Sequence, residues 1–275
     1  MQFRTGRRPW RYPKSRAALI TATAVGAVVT FTPANGAASG LAAGFARAMG
    51  HFAVTSQNGR SFPGTPAVGA LFTTSGGQLG QHYCTASVVH SPGGDLVLTA
   101  AHCVTGIKGP IEFVPGYDHG SMPYGEWTVS KVYVDQAWNS SASQDDDFAF
   151  LKVSDASASS PLEDETGAEK LATGTPAARE LVQVIGYPNE DSQPVTCQNS
   201  LREPMADQLE FDCGGYTDGT SGGPFLSQVD PSTGQGDVIG VIGGYEQGGN
   251  TPQVSYSSVL GRNAAALYQT AVADS

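Results

Sequence analysis

The chain has 275 residues, of which 25 are acidic and 15 are basic, and its formal net charge is −10. A negative charge of this size argues against a protein that binds nucleic acid or anionic membranes by electrostatic attraction. Charged residues make up only 15% of the chain and glycine is abundant, with 35 residues, which is typical of an all-β protein rich in turns.

The first segment, residues 1–38, predicts a signal peptide. Six basic residues precede an apolar stretch from Ala17 to Phe31, and small residues follow through Ala38. The apolar stretch is too short for a membrane span, and no later segment has the roughly 20 apolar residues that a span requires. The segment holds no acidic residue, so the remainder carries a formal charge of −16. We expect a soluble, secreted protein, and the weak twin-arginine pair Arg7 and Arg8 leaves the export route open.

Residues 39–65 are rich in Gly and Ala and show no clear strand pattern. They fit a propeptide or a disordered N-terminal arm, and the sequence does not choose between the two.

Two groups of short β-rich runs follow. The first group lies within residues 66–160 and consists of 67–72, 85–89, 96–99, 111–114, 127–134 and 148–153.

Residues 154–175 are rich in Ser, Ala and Glu and predict a linker between two domains. The second group of runs lies within residues 176–272 and consists of 181–187, 208–211, 224–229, 238–242 and 253–256. Beyond Ser257, apolar residues recur at helical spacing, which predicts a C-terminal helix with Ser257 or Ser258 as its N-cap.

Ser221 lies in a glycine-rich run from Gly219 to Pro224. A serine hydroxyl needs a neighbouring base to become a nucleophile, and the resulting oxyanion needs fixed N–H donors. Glycines let the main chain approach a ligand, so the amides of Gly219 and Ser221 are candidates for an oxyanion hole. A glycine-rich turn that holds a serine is more often a plain hairpin loop, so the interpretation needs support elsewhere.

The support comes from His102, at the end of a strand, and Asp147, which opens an alternating segment. Alone, such a histidine is usually structural, and an aspartate in the run 145–147 is usually part of a solvated acidic turn. Together the residues supply the nucleophile, the base and the carboxylate of a His-Asp-Ser triad. Use of a neighbouring aspartate instead would turn the apolar residues of the following strand to the wrong face.

At these positions the chain resembles the chymotrypsin/trypsin-like serine endopeptidases. The family's histidine motif, Thr-Ala-Ala-His-Cys, is matched in full at 99–103, and its aspartate motif is matched at 147–151. Its serine motif, Gly-Asp-Ser-Gly-Gly-Pro, is matched at 219–224 with Thr220 in place of Asp. The resemblance covers roughly 66–268. It implies an all-β fold of two six-stranded antiparallel Greek-key barrels, with the active site between them. It also implies a secreted bacterial protease acting on proteins or peptides, and we expect a monomer that needs no metal or cofactor.

The four cysteines contain no Cys-x-x-Cys pair, which favours disulfides over zinc. A hairpin of the runs 85–89 and 96–99 would bring Cys84 and Cys103 together beside the histidine. Cys197 and Cys213 would then form a second bridge, and each bridge should stabilise the fold by about 3 kcal/mol. The resemblance supports the first pair more than the second, because the usual family cysteine four residues before the nucleophile is absent.

The substrate pocket is less defined. The resemblance places Gly215, six residues before the nucleophile, at the pocket base, where an Asp would select Lys or Arg. Ile242 takes the position of the histidine found in glutamyl endopeptidases. The predicted pocket residues are Gly215, Tyr216, Ile242, Gly243, Gly244 and Tyr245. They predict an apolar or mixed wall and an uncharged side chain at the cleaved position.

Two departures from the family pattern lead to further expectations. Gly243 replaces a serine that helps bind the catalytic aspartate, so Asp147 is expected to lose one donor and turnover to be modest. Thr220 replaces an Asp that pairs with the newly cut N-terminus in animal digestive members. Activation should therefore remove an obstructing segment or need no cleavage.

The intact trio favours an active endopeptidase over the alternative, a catalytically weak or inactive binding protein with a protease fold. An esterase would use the same acyl chemistry. Its strand-to-helix Gly-x-Ser-x-Gly signature is not matched, because the residues after Ser221 resume a strand.

Overall fold

The structure is a computed structural model, and it describes residues 57–155, 157–202 and 207–274. The predicted signal peptide and most of the predicted propeptide or arm lie outside these ranges. In chain order the strands are β1 (Arg60–Ser61), β2 (Val68–Ser75), β3 (Gln78–Val88), β4 (Leu96–Thr99), β5 (Ile111–Pro115), β6 (Trp127–Val134), β7 (Ala149–Ser154), β8 (Lys170–Leu171), β9 (Leu181–Gly186), β10 (Val195–Ser200), β11 (Gln208–Asp212), β12 (Pro224–Ser227), β13 (Asp237–Val241) and β14 (Val254–Ser258). The α-helices are α1 (Gln136–Ser141), α2 (Leu162–Thr166) and α3 (Arg262–Ala273).

The first half of the chain forms a closed barrel with the strand order β2-β3-β4-β7-β6-β5. Successive side chains of a strand point to opposite faces, so alternating apolar residues fill one side of each strand. Leu71, Val97, Phe113 and Leu151 are fully buried in this core. All six predicted runs of this half are strands, and the bounds of β4 and β6 agree with the prediction to the residue.

The second half contains two ladders. Strands β9, β10, β12 and β13 form one sheet, to which β1 and β8 add at the edges, and β11 pairs separately with β14. Val184, Phe211 and Phe225 belong to a second core that these strands enclose. The prediction of an all-β protein with two barrels and a C-terminal helix is confirmed.

Several short elements differ from the sequence-based expectation. The sequence predicts no strand at β1, β8 or β10, and the predicted linker 154–175 contains α2 as well as β8. Strands β1 and β8 have two residues each, too few for an alternation to be visible, and they exist through pairing with β10 and β13. Part of the region 39–65 is therefore a strand at the edge of the second sheet.

The two halves share a core. Leu98 and Phe150 of the first barrel pack in one cluster with Ile185 and Leu226 of the second. Full burial of a side chain of this size contributes about 1.5–3 kcal/mol. The shared core fixes the edges of the two barrels against each other, and the cleft described below opens between them.

The C-terminal helix α3 packs against the first barrel. The Tyr268 ring contacts Phe150, with 5.8 Å between centroids, and its hydroxyl donates to the His90 carbonyl oxygen at 2.9 Å. The predicted N-cap was wrong, because Ser257 and Ser258 belong to β14 and Gly261 occupies the N-cap position. Cross-strand hydrogen bonding accounts for the difference, since β14 pairs with β11 as far as Ser258.

A buried carboxyl group lies between the two halves. Glu169 is 0% exposed, and its Oε2 accepts a hydrogen bond from the Gly236 N–H at 2.6 Å. Its Oε1 is buried without a partner in the described part of the chain. Burial raises the pKa of Glu169 to about 8, and the Gly236 N–H opposes this only in part.

Stability should therefore depend on the ionisation of Glu169. Below the ordinary pKa of 4.5, the carboxyl group is neutral in both states and its stabilising contribution is fully present. As the pH rises toward 8 the unfolded chain ionises first, so the contribution is lost. We expect Glu169→Gln to raise the free energy of unfolding at pH 9 by the order of a few kcal/mol and to change it little at pH 5. Urea unfolding measures both values. The assignment of this pH dependence to Glu169 would be contradicted if Glu169→Gln raised the free energy of unfolding equally at both pH values. It would also be contradicted if replacing the exposed Glu126 with Gln gave the same pH dependence.

Candidate active site

His102 lies shortly after β4, in a 3-10 turn that spans Ala101–Cys103. The predicted disulfide between Cys84 of β3 and Cys103 is present and ties this turn to the barrel wall. Ala101 and Cys103 are buried, whereas the His102 side chain is 15% exposed. The imidazole is therefore held on a fixed backbone with one part open to solvent.

Asp147 lies against the imidazole and is fully buried. Its Oδ2 is 2.8 Å from His102 Nδ1, and its Oδ1 accepts a hydrogen bond from the His102 backbone N–H at 2.9 Å. The Gly244 N–H also donates to Oδ2, at 2.9 Å. This carboxylate has donors on both oxygens, which offsets the cost of burying its charge.

The two neighbouring aspartates have different partners. Asp145 Oδ1 accepts from the side chain of Gln208 at 2.7 Å. Asp146 is buried and accepts from Asn263 and from Ser143, both at 2.7 Å. Within the acidic run only Asp147 is hydrogen-bonded to His102. Asp145 is exposed, whereas Asp146 and Asp147 are buried, so the run consists of three separate hydrogen-bonded sites of which only the first is solvated.

The loop that carries Ser221 depends on its glycines. Gly219 and Gly222 have φ values of +96° and +81°, a region that favours glycine. A Cβ atom on Gly222 would lie 2.1 Å from Thr99 Oγ1, and one on Gly219 would lie 2.6 Å from the Tyr187 carbonyl oxygen. Larger residues at either position would displace Ser221 from its place in the cleft.

Thr85 of the first barrel is hydrogen-bonded to the loop that carries Ser221. Its backbone N–H donates to the Ser221 carbonyl oxygen at 2.7 Å, and its hydroxyl donates to the Gly219 carbonyl oxygen at 3.0 Å. The hydroxyl also accepts from the Tyr187 N–H at 2.8 Å. The sequence analysis missed Thr85, since it lies in a different half of the chain and in no recognisable motif.

The amides of Gly219 and Ser221 remain available. No described residue accepts a hydrogen bond from either N–H, whereas the N–H groups of Thr220, Gly222 and Gly223 all donate to carbonyl oxygens. Unpaired main-chain donors beside a serine are what an oxyanion hole requires.

A cleft of about 830 Å³ brings the predicted groups together, since His102, Gly219 and Ser221 all line it. Of the predicted pocket residues, Tyr216 and Ile242 line the cleft, and the others are absent from its lining. Gly243 lies against Asp147, because a Cβ atom there would be 3.0 Å from Oδ2. Tyr245 packs on the ring of Tyr256, with 5.1 Å between centroids.

Three carboxylates in the cleft were not predicted: Glu190, Asp218 and Glu246. They come from separate loops, so their spacing in the sequence carries no signal. Thr217 donates to Glu190 Oε1 at 2.7 Å and holds one of them in place. The cleft lining contains no lysine or arginine among the described residues. The cleft is therefore electronegative.

Tyr216 is a neutral wall residue. Burial raises the pKa of its phenol, and the hydroxyl donates to the Val184 carbonyl oxygen at 2.7 Å. Its ring can contact a substrate, but its hydroxyl is already occupied. Tyr216 is therefore not a candidate for the general base of the cleft.

One cluster of possible metal ligands lies at the cleft, formed by Cys84, His102 and Cys103 within 4.8 Å of one another. Both sulfurs belong to the disulfide. A cysteine ligates metal as a thiolate, so this cluster does not provide the donors that a metal centre needs.

The trypsin family model matches residues 55–259, which is most of the chain. The protein belongs to the trypsin family and is a serine-type endopeptidase, a hydrolase. No curated protein sequence gives a significant match.

Solved structures of proteases share its fold. The protease Anisep from Arthrobacter nicotinovorans is 25% identical, with a TM-score of 0.66 over 78% of this chain and 99% of that one. The thermostable serine protease AL20 from an extremophilic microorganism is 21% identical, with a TM-score of 0.65 over 77% and 99%. A Glu endopeptidase solved in complex with MPD is 16% identical, with a TM-score of 0.62 over 80% and 98%.

Proposed function

We propose that the protein is a secreted endopeptidase that cleaves peptide bonds through an acyl-enzyme formed on Ser221, with His102 as the base and Asp147 as its orienting carboxylate. The observation that carries this proposal is the contact of 2.8 Å between His102 Nδ1 and the fully buried Asp147, together with the cleft that His102 and Ser221 both line. A buried carboxylate at Nδ1 holds the proton on that nitrogen and leaves Nε2 free to accept another.

The reaction would proceed by two acyl transfers. His102 accepts the Ser221 hydroxyl proton as Oγ attacks the carbonyl carbon of the scissile bond. The N–H groups of Gly219 and Ser221 stabilise the oxyanion. His102 then donates the proton to the leaving amine, and the C–N bond breaks. In the second half His102 deprotonates a water as its oxygen attacks the acyl carbon. The bond from that carbon to Ser221 Oγ then breaks, and His102 returns the proton to Oγ, which releases the acid and free Ser221.

The missing serine at Gly243 is partly replaced by a backbone group. The Gly244 N–H supplies a donor to the same Asp147 oxygen that lies beside His102 Nδ1. With the two N–H groups of His102, the carboxylate faces three donors. We propose that this arrangement supports turnover without the family's serine.

Activation follows from the position of Thr220. Its side chain is buried and its hydroxyl donates to the Thr217 carbonyl oxygen at 2.7 Å, so it offers no charge for a newly cut N-terminal amine. We propose that residues 1–38 are removed on export and that any cut within residues 39–65 removes an obstruction without creating an essential amine.

The proposed form is a secreted monomer. Its two domains would be residues 66–160, with His102 and Asp147, and residues 176–272, with Ser221. The second disulfide, Cys197–Cys213, is present as well as the first. In the part of the chain that the structure describes, no helix is long and apolar enough to cross a membrane. The formal net charge of −10 argues against nucleic acid as a partner.

A peptide library tests the proposal. The secreted protein is incubated with mixed peptides, and the products are identified by mass spectrometry. We expect internal cuts at amide bonds that leave a free carboxylate and a free amine. In a parallel assay with a peptide ester, hydrolysis of the ester but of no amide bond would indicate an esterase. No hydrolysis of either substrate by folded protein would indicate the binding-protein alternative.

The same library tests the charge of the cleft. We expect an uncharged residue at the cleaved position, next to Tyr216 and Ile242. Lys or Arg at neighbouring positions should raise kcat/KM several-fold over Asp or Glu, since opposite charges attract in the cleft. Added salt should reduce this preference, and Glu246→Gln should weaken it. A preference for acidic peptides would contradict the prediction.

A further inference from the structure

We propose that Gln208 is a positioning residue for Asp147. Its side chain connects the backbone beside Gly244, which donates a hydrogen bond to Asp147, with the 3-10 turn that directly precedes Asp147. This inference rests on the proposed function, because the role of Asp147 in catalysis is part of that proposal. Nothing in the sequence motifs of the triad points to Gln208.

Gln208 lies at the start of β11 and is 8% exposed. Its Nε2 donates to Asp145 Oδ1 at 2.7 Å and to the Gln144 carbonyl oxygen at 3.2 Å. Its Oε1 accepts from the Tyr245 N–H at 2.9 Å. Both N–H groups and the oxygen of the amide are therefore used. Such a fully bonded amide fixes the groups on either side of it.

The partners of the Gln208 side chain on both of its sides lie next to residues that position Asp147. Gln144 and Asp145 belong to the 3-10 turn Gln144–Asp146, which directly precedes Asp147. Tyr245 directly follows Gly244, whose N–H donates to Asp147 Oδ2. Successive N–H groups of one segment thus bind Asp147 and Gln208. If the second bond is lost, the Gly243 N–H still donates to the Tyr256 carbonyl oxygen at 3.0 Å, but the Tyr245 side of Gly244 loses its link to the turn before Asp147.

The packing around Gly244 strengthens this argument. Gly244 has a φ of +76°, and a Cβ atom there would lie 2.4 Å from Gln208 Oε1 and 2.7 Å from the Ser258 N atom. The backbone at Gly244 therefore runs close against the Gln208 amide. Gly243 has no side chain, so it supplies no donor that could replace the Gly244 N–H at Asp147.

The test compares Gln208→Ala with Gln183→Ala. Gln183 is a matched control: it is a half-buried glutamine of β9 whose side chain donates to Thr196 Oγ1 at 3.0 Å, within the second sheet. We expect Gln208→Ala to lower kcat by about ten- to hundred-fold, the effect of one or two misplaced hydrogen bonds. Gln183→Ala should leave kcat within about twofold.

A direct readout is the NMR resonance of the proton between His102 Nδ1 and Asp147, recorded without substrate. It should be sharp and far downfield in the unaltered protein and in Gln183→Ala, and broadened or lost in Gln208→Ala. If the protein hydrolyses no peptide at all, the proposed function fails, and this resonance still decides whether Gln208 positions Asp147.

A second variant covers the case in which Gln208→Ala does not fold. Gln208→Glu keeps the length and the acceptor for Tyr245 but places a second negative charge beside Asp145, so it should also lose kcat and the resonance. Adding Asp145→Asn restores a donor and should recover both. An unchanged resonance in folded Gln208→Ala, or in Gln208→Glu where only that variant folds, would overturn the proposal, whatever happens to kcat.

Discussion

Replacing Ser221 with alanine is expected to lower kcat by about a million-fold, since the group that forms the acyl-enzyme is lost. The Ser221 side chain makes no hydrogen bond to another described residue, so its loss should cost little stability. Circular dichroism and thermal unfolding should match the unaltered protein, and peptide hydrolysis in the steady state measures the loss.

His102→Ala supplies the companion measurement. It should lower kcat by a similar factor, because without the base the Ser221 hydroxyl keeps its proton. The double variant should be little worse than either single variant, since the two residues act as one unit. Losses that multiply in the double variant would show that the two residues act independently and would contradict the proposed pairing.

Replacing Asp147 with asparagine is expected to lower kcat by about ten-thousand-fold. The asparagine oxygen can still accept from the His102 backbone N–H, which leaves its amide group facing Nδ1. Nδ1 must then accept, so the ring proton moves to Nε2 and the ring can no longer take the Ser221 proton. Hydrolysis of a peptide substrate and the downfield proton resonance both report this change.

Asp146→Asn is the matched control for that variant. Asp146 is also buried and adjacent in the chain, but its partners are Asn263 and Ser143. Its replacement should reduce stability and leave kcat within about tenfold. If both variants lost activity equally, the effect would come from the acidic turn as a whole, and the assignment of Asp147 would be wrong.

The sequence predicts well those features that depend on residues close together in the chain. The residue types around His102 and Ser221 recur in short motifs. Strand β4 is a continuous apolar run, and β6 is rich in β-branched and aromatic residues. The two disulfides follow from the hairpin between 85–89 and 96–99 and from elimination. These features depend on neighbours in the chain, so they are visible without a structure.

What the sequence does not predict depends on contacts between distant segments. Thr85 and Gln208 meet the active-site loops across 134 and 37 positions of the chain, respectively. The two-residue strands exist only through their partners. The carboxylates of the cleft lie in loops whose relative placement is set by the packing of both halves. The start of α3 was misplaced because strand pairing of β14 uses the serines that would otherwise cap a helix.

The most direct test of the central claim is covalent labelling of Ser221 with a fluorophosphonate, which reacts only with an activated serine. The folded, secreted protein should be labelled at one site, identified as Ser221 by mass spectrometry, and His102→Ala should react far more slowly. Absence of labelling in folded protein, or equal labelling after Ser221→Ala, would contradict the account.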